Sequence, residues 1–244
     1  MALKGKINMK LHRFYIKEIH NKFGDVAFGE TVWVHEEKLL KQWVKVLRYR
    51  PGNELIIFND TEERLYKIEV ISDDSVKLQL VTQLERKLPN KKIYLFWSVL
   101  KKDKNDWVLQ KACELGVHKF IPIISERSEK TDINLERATK IITEASEQCG
   151  RSDIPSIREP ISLPEALSEY ANEMQLVICE QEGELKTDFE HLDSIGLLVG
   201  PEGGWSDSEK QLFKENNLPH IAISNFTLRA ETASVVGVAK LMSG

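Results

Sequence analysis

Gly200, Pro201, Glu202, Gly203 and Gly204 stand together directly after the apolar run Ile195 to Val199. Glycine lacks a Cβ, so such a loop lets backbone approach a ligand closely, at the carboxyl end of a strand where open α/β sheets bind their ligands. A lone Gly-Gly reads more simply as a strand-to-helix turn; five such residues after a buried strand favour a site. No Lys followed by Ser or Thr comes after the glycines, and the dinucleotide spacing is missing, so nucleotide hydrolysis and hydride transfer drop in rank. A second segment, Asn225 to Ala233, carries Arg229 and Glu231 at a helix start. Two residues apart, they point different ways and each can address something else, while a glutamate also suits the positive helix end. A solvated arginine with a dipole-complementing glutamate is an equal reading of this segment alone. In a third segment, Glu144 to Ser152, Gly150 stops a helix and Arg151 follows. Arg151 either projects into a cleft or complements the helix dipole.

Other chemistries find little support. Cys113, Cys149 and Cys179 are not at metal-finger spacing, and the 6 histidines are scattered. Neither a structural zinc site, a disulfide framework nor a nucleophile triad is indicated, and Cys149 reads as a small apolar residue. No apolar run is long enough to cross a bilayer and no secretory leader is recognisable, so the expected compartment is a reducing cytosol.

The net charge of −4, from 34 bases and 38 acids, argues against a non-specific nucleic-acid coat. The charge is nevertheless segregated. Residues 1–50 hold eleven bases against five acids, and the acidic remainder is interrupted by a basic stretch from Arg86 to Lys104. Aromatics lie among the early cations: Lys10, His12, Arg13, Phe14, Tyr15 and Lys17, then Lys41, Trp43, Lys45, Arg48, Tyr49 and Arg50. Cations for phosphates beside rings that stack bases fit single-stranded or looped RNA better than duplex DNA; a solvated basic face is the plainer alternative.

Two kinds of element must position these residues in the 244-residue chain. The first part reads as short strands at Leu11–Ile16, Thr31–Val34, Glu54–Phe58, Arg64–Ile71 and Ser75–Leu80, broken by Gly24, Gly29, Gly52 and Asn59–Asp60. One amphipathic helix, Glu36–Arg48, interrupts them. Beyond Thr82–Lys92, apolar runs alternate with helical segments, as in a mostly parallel sheet with covering helices. Strands are expected at Ile93–Trp97, Phe120–Ile124, Gln175–Cys179, Gly196–Val199 and His220–Ile223. Helices are expected at Asp106–Leu115, Leu135–Cys149, Leu163–Tyr170, Asp207–Glu215 and Arg229–Met242, with capping boxes at Ser162/Glu165 and Ser206/Glu209. The pattern changes near residues 72–90, giving domains at 1–75 and 76–244. Ala230, Ala233, Ser234 and Gly237 make a small-residue face on the last helix, suited to tight packing within the chain or across a dimer.

Together these stretches resemble the 16S ribosomal RNA uridine-N3 methyltransferase family of the knotted SPOUT superfamily. The resemblance spans nearly the whole chain: Arg13 and Phe14; Val46, Leu47, Arg48 and Gly52; Lys111, Glu114 to Val117 and Pro122; Glu147, Gln148 and Arg151; Gly200 to Gly204 with Ser206 and Glu209; and Leu228 to Ala233. Where the family usually shows Leu-Gly and then Arg, this chain has Ile223, Ser224 and Phe226. The resemblance implies an α/β protein with a small PUA-like β-barrel followed by a trefoil-knotted methyltransferase domain, working as a homodimer on ribosomal RNA, with S-adenosyl-L-methionine as cofactor and no metal. It places the cofactor against Cys179 and Glu180, Val199, Gly200, Pro201, Glu202, Gly203 and Gly204, and Ser224, Phe226, Thr227 and Leu228. Glu231 is then the candidate base, Arg229 the cation favouring an anionic uracil, and Arg151 a lesser orienting group. Arg13, Arg48, Arg50, Lys101 and Lys102 are the expected RNA contacts. The competing readings are a ribose 2′-hydroxyl or transfer RNA as target, and a ribosome-binding module without catalysis.

Overall fold

The computed structural model describes residues 11–17, 28–184, 189 and 191–243, without the side chains of 182–184. Lys10 and Gly24 therefore lie outside the described residues. The chain forms two compact units that part between Lys87 and Leu88.

In the first unit the described residues form β1 (Arg13–Tyr15), β2 (Thr31–Val34), β3 (Glu54–Phe58), β4 (Glu63–Ile71) and β5 (Val76–Leu84), in one sheet of order β1-β3-β4-β5-β2. β1 runs parallel to β3 and the other pairs are antiparallel. Two register shifts between β4 and β5 bend the sheet, as bulges do in small barrels. Along β4, Tyr66 and Ile68 are buried while Lys67 and Glu69 are exposed, the alternation of a strand with one solvated face. Between β2 and β3 the expected helix is present as α1 (Glu37–Leu40) running on into a π-helical stretch, Lys41–Val46. It buries Trp43 among Phe14, Leu55, Tyr66 and Leu78, and leaves Val46 facing solvent. β5 pairs with both β2 and β4, so the strand read at Ser75–Leu80 lies in the first sheet with the other early strands and runs on to Leu84. The boundary accordingly falls at Lys87/Leu88 rather than at 75/76.

The second unit alternates strand and helix. Its elements are β6 (Lys92–Ser98), α2 (Lys102–Glu114), β7 (Val117–Ile124), α3 (Leu135–Cys149), β8 (Ser156–Ile157), β9 (Ile161–Ser162), α4 (Leu163–Tyr170), β10 (Gln175–Glu184), β11 (Ser194–Val199), α5 (Asp207–Glu215), β12 (His220–Ile221) and α6 (Ala230–Met242). All pairings are parallel, in the order β12-β10-β11-β6-β7-β8, with β9 also on β7. The central strands are buried on both faces. Leu95, Trp97, Leu197 and Val199 join the core under α2, α3 and α6, whereas Phe96, Leu198 and Ile178 join the core under α4 and α5. That explains runs of continuous rather than alternating hydrophobicity. The two-residue strands β8 and β9 are too short to leave a period and were not expected from sequence. Ser206 and Glu209 form the full capping box; at Ser162 only the hydroxyl cap forms, and Glu165 lies 3.9 Å from Arg158.

From edge strand β12 the chain comes back to lay α6 against β6, β11 and α2. A Cβ on Gly237 would fall 2.7 Å from Leu197, so glycine is needed for α6 to sit this close to β11. The small-residue face is thus largely spent inside the chain: Ala230, Ser234 and Gly237 are buried there. Among the described residues no helix is long and apolar enough to cross a membrane.

Candidate active site

At the carboxyl end of this sheet lies a cavity of about 830 Å³. β10 contributes Cys179, Glu180 and Gln181, and β11 runs into Val199 and the loop Gly200 to Trp205. The segment before α6 gives Thr227, Leu228 and Arg229, and α6 itself gives Ala230 and Ala233. Lys104 of α2, Arg127 after β7 and Lys210 of α5 complete the wall.

The glycine loop is held by named contacts. The Gly204 N–H donates to the Pro201 carbonyl at 2.9 Å, and Gly204 takes a φ of +67°, which an L side chain rarely adopts. At Gly200 a Cβ would lie 2.9 Å from the Trp205 indole, so the ring closes over the backbone there. Arg127 Nη1 donates to the carbonyls of Gly203 at 3.1 Å and Trp205 at 3.2 Å. The buried Glu209 carboxylate accepts from Ser206 N–H at 2.7 Å and from Glu126 N–H at 3.0 Å. Its charge thus caps α5 and staples the loop after β7 to the loop after β11.

The second wall is tied in the same way. Thr227 Oγ1 donates to Gln181 Oε1 at 2.8 Å, joining the turn before α6 to β10. Arg229 is the N-cap residue of α6, with extended backbone, and Glu231 sits in the helix's first turn, where the macrodipole favours a negative charge. Opposite them the start of α2 is fixed by Asn105, whose Oδ1 accepts from Trp97 Nε1 and Leu100 N–H at 3.0 Å each and whose Nδ2 donates to the Leu100 carbonyl at 2.8 Å. This sets Lys104 against the cavity, where its ammonium is paired with Glu202 and lies 3.7 Å from Glu231 Oε1. The hydrogen bond to Glu202 raises the Lys104 pKa and lowers that of the Glu202 carboxyl. Both groups are charged at neutral pH, and the link is lost as pH falls through the lowered Glu202 value or rises through the raised Lys104 value.

Burial, with Glu180 beside it, pushes the Cys179 thiol up to about 12, and burial pushes Cys113 to about 11. Neither is a thiolate nucleophile at neutral pH. Among the described residues no cluster of three or more His, Cys, Asp or Glu could hold a metal ion.

Of the expected cofactor contacts, Cys179, Glu180, Val199, Gly200, Pro201, Glu202, Gly203, Gly204, Thr227 and Leu228 line the cavity, and Ser224 and Phe226 do not. The Ser224 hydroxyl accepts from the Phe226 N–H at 3.0 Å, a local turn that leaves the Phe226 ring 80% exposed. Arg229 lines the cavity and Glu231 adjoins it through Lys104. Arg151 does not reach it. Its buried guanidinium is spent on the carbonyls of Cys113 at 2.9 Å and Val117 at 3.0 Å and on the Asp153 carboxylate at 2.8 Å.

Among the expected RNA contacts, Arg13 is bound to the buried Glu63 carboxylate, with Nη2 to Oε2 at 3.0 Å, and lies over the Phe58 ring. It knits β1 to the sheet. Arg48, Arg50, Lys101 and Lys102 are exposed, Lys101 with Glu129 at 3.2 Å. Sequence reasoning missed Lys104, Arg127, Gln181, Trp205 and Lys210 as cavity residues. Trp205 follows the glycines directly and Lys104 closes the basic stretch, whereas nothing local marks Arg127.

Comparison with known proteins agrees with this architecture. The family model for an RNA methyltransferase domain matches residues 86–242, and that for an RNA methyltransferase PUA domain matches 44–81. The chain is 30% identical over 241 residues to ribosomal RNA small subunit methyltransferase E of Rickettsia conorii, covering 96% of each. It is 34% identical over 191 residues to the protein of the same name from Aquifex aeolicus, covering 75% of this chain and 82% of that one. The crystal structure of a ribosomal RNA small subunit methyltransferase E from Neisseria gonorrhoeae bound to S-adenosyl methionine superposes with a TM-score of 0.83 at 27% identity, over 96% of this chain and 97% of that one. A first unit that matches the PUA-domain model, a glycine-loop cavity at the strand ends of the second, and a relative aligned over 96% of both chains place this chain in the ribosomal RNA small subunit methyltransferase E family of RNA methyltransferases.

Proposed function

We propose that this protein transfers the methyl group of S-adenosyl-L-methionine to N3 of a uridine in 16S ribosomal RNA, acting in the cytosol as a homodimer on the small ribosomal subunit. The observation that carries the reading is the meeting of the glycine loop with the Arg229/Glu231 turn around one cavity. The residues present fit the cofactor. A volume of about 830 Å³ lies within the roughly 300–1,000 Å³ of small-molecule sites. Glu180 and Glu202 supply negative charge suited to a sulfonium, and the buried Trp205 Nε1–H has no partner among the described residues, leaving a donor for a polar ligand atom. The exposed apolar side chains of Trp107 on α2 and Val236 on α6 support a partner subunit.

When bound, the cofactor supplies an electrophilic methyl carbon, and transfer is a direct displacement that needs no covalent enzyme intermediate. The protein's part is to hold acceptor and methyl in line and exclude water. Uracil N3 carries a proton at neutral pH, so a base must take it or a cation must stabilise the anion. Glu231 stands in the former role and Arg229 in the latter: Arg229 lines the cavity, and Glu231 adjoins it beside Lys104. Arg151 has no place in this step.

The test joins two measurements. Calorimetry should give one S-adenosyl-L-methionine site per chain. Mass spectrometry of small-subunit ribosomal RNA from a gene deletion should show loss of one 3-methyluridine, restored by the purified protein. Persistence of 3-methyluridine, or loss of a 2′-O-methyl or transfer-RNA nucleoside instead, overturns the substrate assignment.

A further inference from the structure

We infer that Lys104 is a positioning residue for methyl transfer: its ammonium holds one oxygen of the Glu231 carboxylate, so that the other is presented to the acceptor nucleobase. The inference rests on the reading of Glu231 as proton acceptor and adds a group which that reading does not contain.

Three observations carry it. The Glu231 side chain is 13% exposed, and its Oε2 is inaccessible and without a hydrogen-bond partner among the described residues. Buried carboxylate oxygens are nearly always satisfied, so this unpaired acceptor, on the helix turn whose Arg229, Ala230 and Ala233 line the cavity, calls for a donor that the described residues do not supply and a seated substrate can. The imide N–H of uracil is such a donor. The other oxygen, Oε1, lies 3.7 Å from Lys104 Nζ, and that side chain is itself only 22% exposed. Lys104 is in turn held at both ends. Asn105 fixes the helix turn that carries it, and Glu202 of the glycine loop takes its ammonium. Arg229, and Lys101 toward Glu202, are further cations that face this cluster. A single ammonium therefore gathers the glycine loop and the first turn of α6. A carboxylate so anchored has lost rotamer freedom before the substrate arrives, and the proton moves from N3 to an oxygen already aimed.

A merely structural lysine, tying down the glycine loop through Glu202, would act on cofactor binding. The test separates the two. Lys104→Met, Lys104→Arg, Glu202→Gln, Glu231→Gln and the Lys104→Met/Glu231→Gln double variant are assayed as full-length chains. The substrate is small subunits from a strain deleted for the gene, and S-adenosyl-L-methionine affinity is measured by calorimetry.

Lys104→Met should lower kcat by about 10- to 100-fold, less than the roughly 100- to 10,000-fold of a general base because Glu231 itself remains, with cofactor Kd within about threefold of wild type. Lys104→Arg should recover most of the rate, and the double variant should be no slower than Glu231→Gln alone, because the two residues act as one unit. Wild-type kcat in Lys104→Met overturns the inference. So does a loss confined to cofactor affinity and matched by Glu202→Gln, or rate losses that multiply in the double variant. If the methylated nucleoside is not 3-methyluridine, the substrate reading fails separately, while the same rate comparisons still decide the role of Lys104 toward Glu231.

Discussion

Arg151 and Arg229 both adjoin a helix end, yet one is walled in by the carbonyls of Cys113 and Val117 and by Asp153, and the other stands at the cavity. Their substitutions should therefore separate. Removing Arg151 leaves Asp153 and two carbonyls without their donor, so Arg151→Ala should cost on the order of 3 kcal/mol of stability, read as a lower denaturant midpoint, with cofactor affinity in the folded fraction kept. Arg229→Ala should keep the midpoint within about 0.5 kcal/mol, as exposed substitutions do, and lower kcat by at least about tenfold. An unchanged midpoint in the first variant, or wild-type turnover in the second, would contradict these placements. In sequence the two arginines are equally plausible candidates, since the partners that occupy Arg151 lie 34 and 38 residues away as well as two.

At the scale of elements, the site depends on loops rather than on the strands that end in it. The glycine loop was legible because it follows β11 and precedes a capping box; its shape was not, because Arg127 and Glu126 come from a different loop. Gly200 is where that shape is most constrained. A methyl group there would meet the Trp205 indole at 2.9 Å and must push the ring away. Gly200→Ala should weaken S-adenosyl-L-methionine binding by at least about tenfold and change the Trp205 emission, with a modest overpacking cost of about 1–3 kcal/mol in stability. Unaltered cofactor affinity would show that the ring does not shape the site. The last helix teaches the same lesson in reverse. Its small residues are the cost of packing on Leu197, although by pattern they suit a dimer face equally well.

For the whole molecule, division between Lys87 and Leu88 makes the glycine-loop cavity a property of the second unit alone. A chain beginning at Leu88 should fold and bind S-adenosyl-L-methionine with near-wild-type affinity but lose at least about a hundredfold in kcat/KM on small subunits, through the missing RNA contacts. Full activity in that fragment would remove the first unit from substrate recognition. The sequence by itself determined the two architectures, nearly all of the longer helices and strands, the glycine loop and the Arg229/Glu231 turn. Each of these is encoded by neighbours in the chain: a hydrophobic period, a cap, or a run of glycines. Only the tertiary structure decided that Arg13 and Arg151 are bound internally, that Ser224 and Phe226 turn away from the cavity, and that Lys104 meets Glu202 and Glu231. Those outcomes depend on groups brought together from up to 127 positions apart by the order of parallel strands, and no local pattern encodes which distant partner a charged side chain will find.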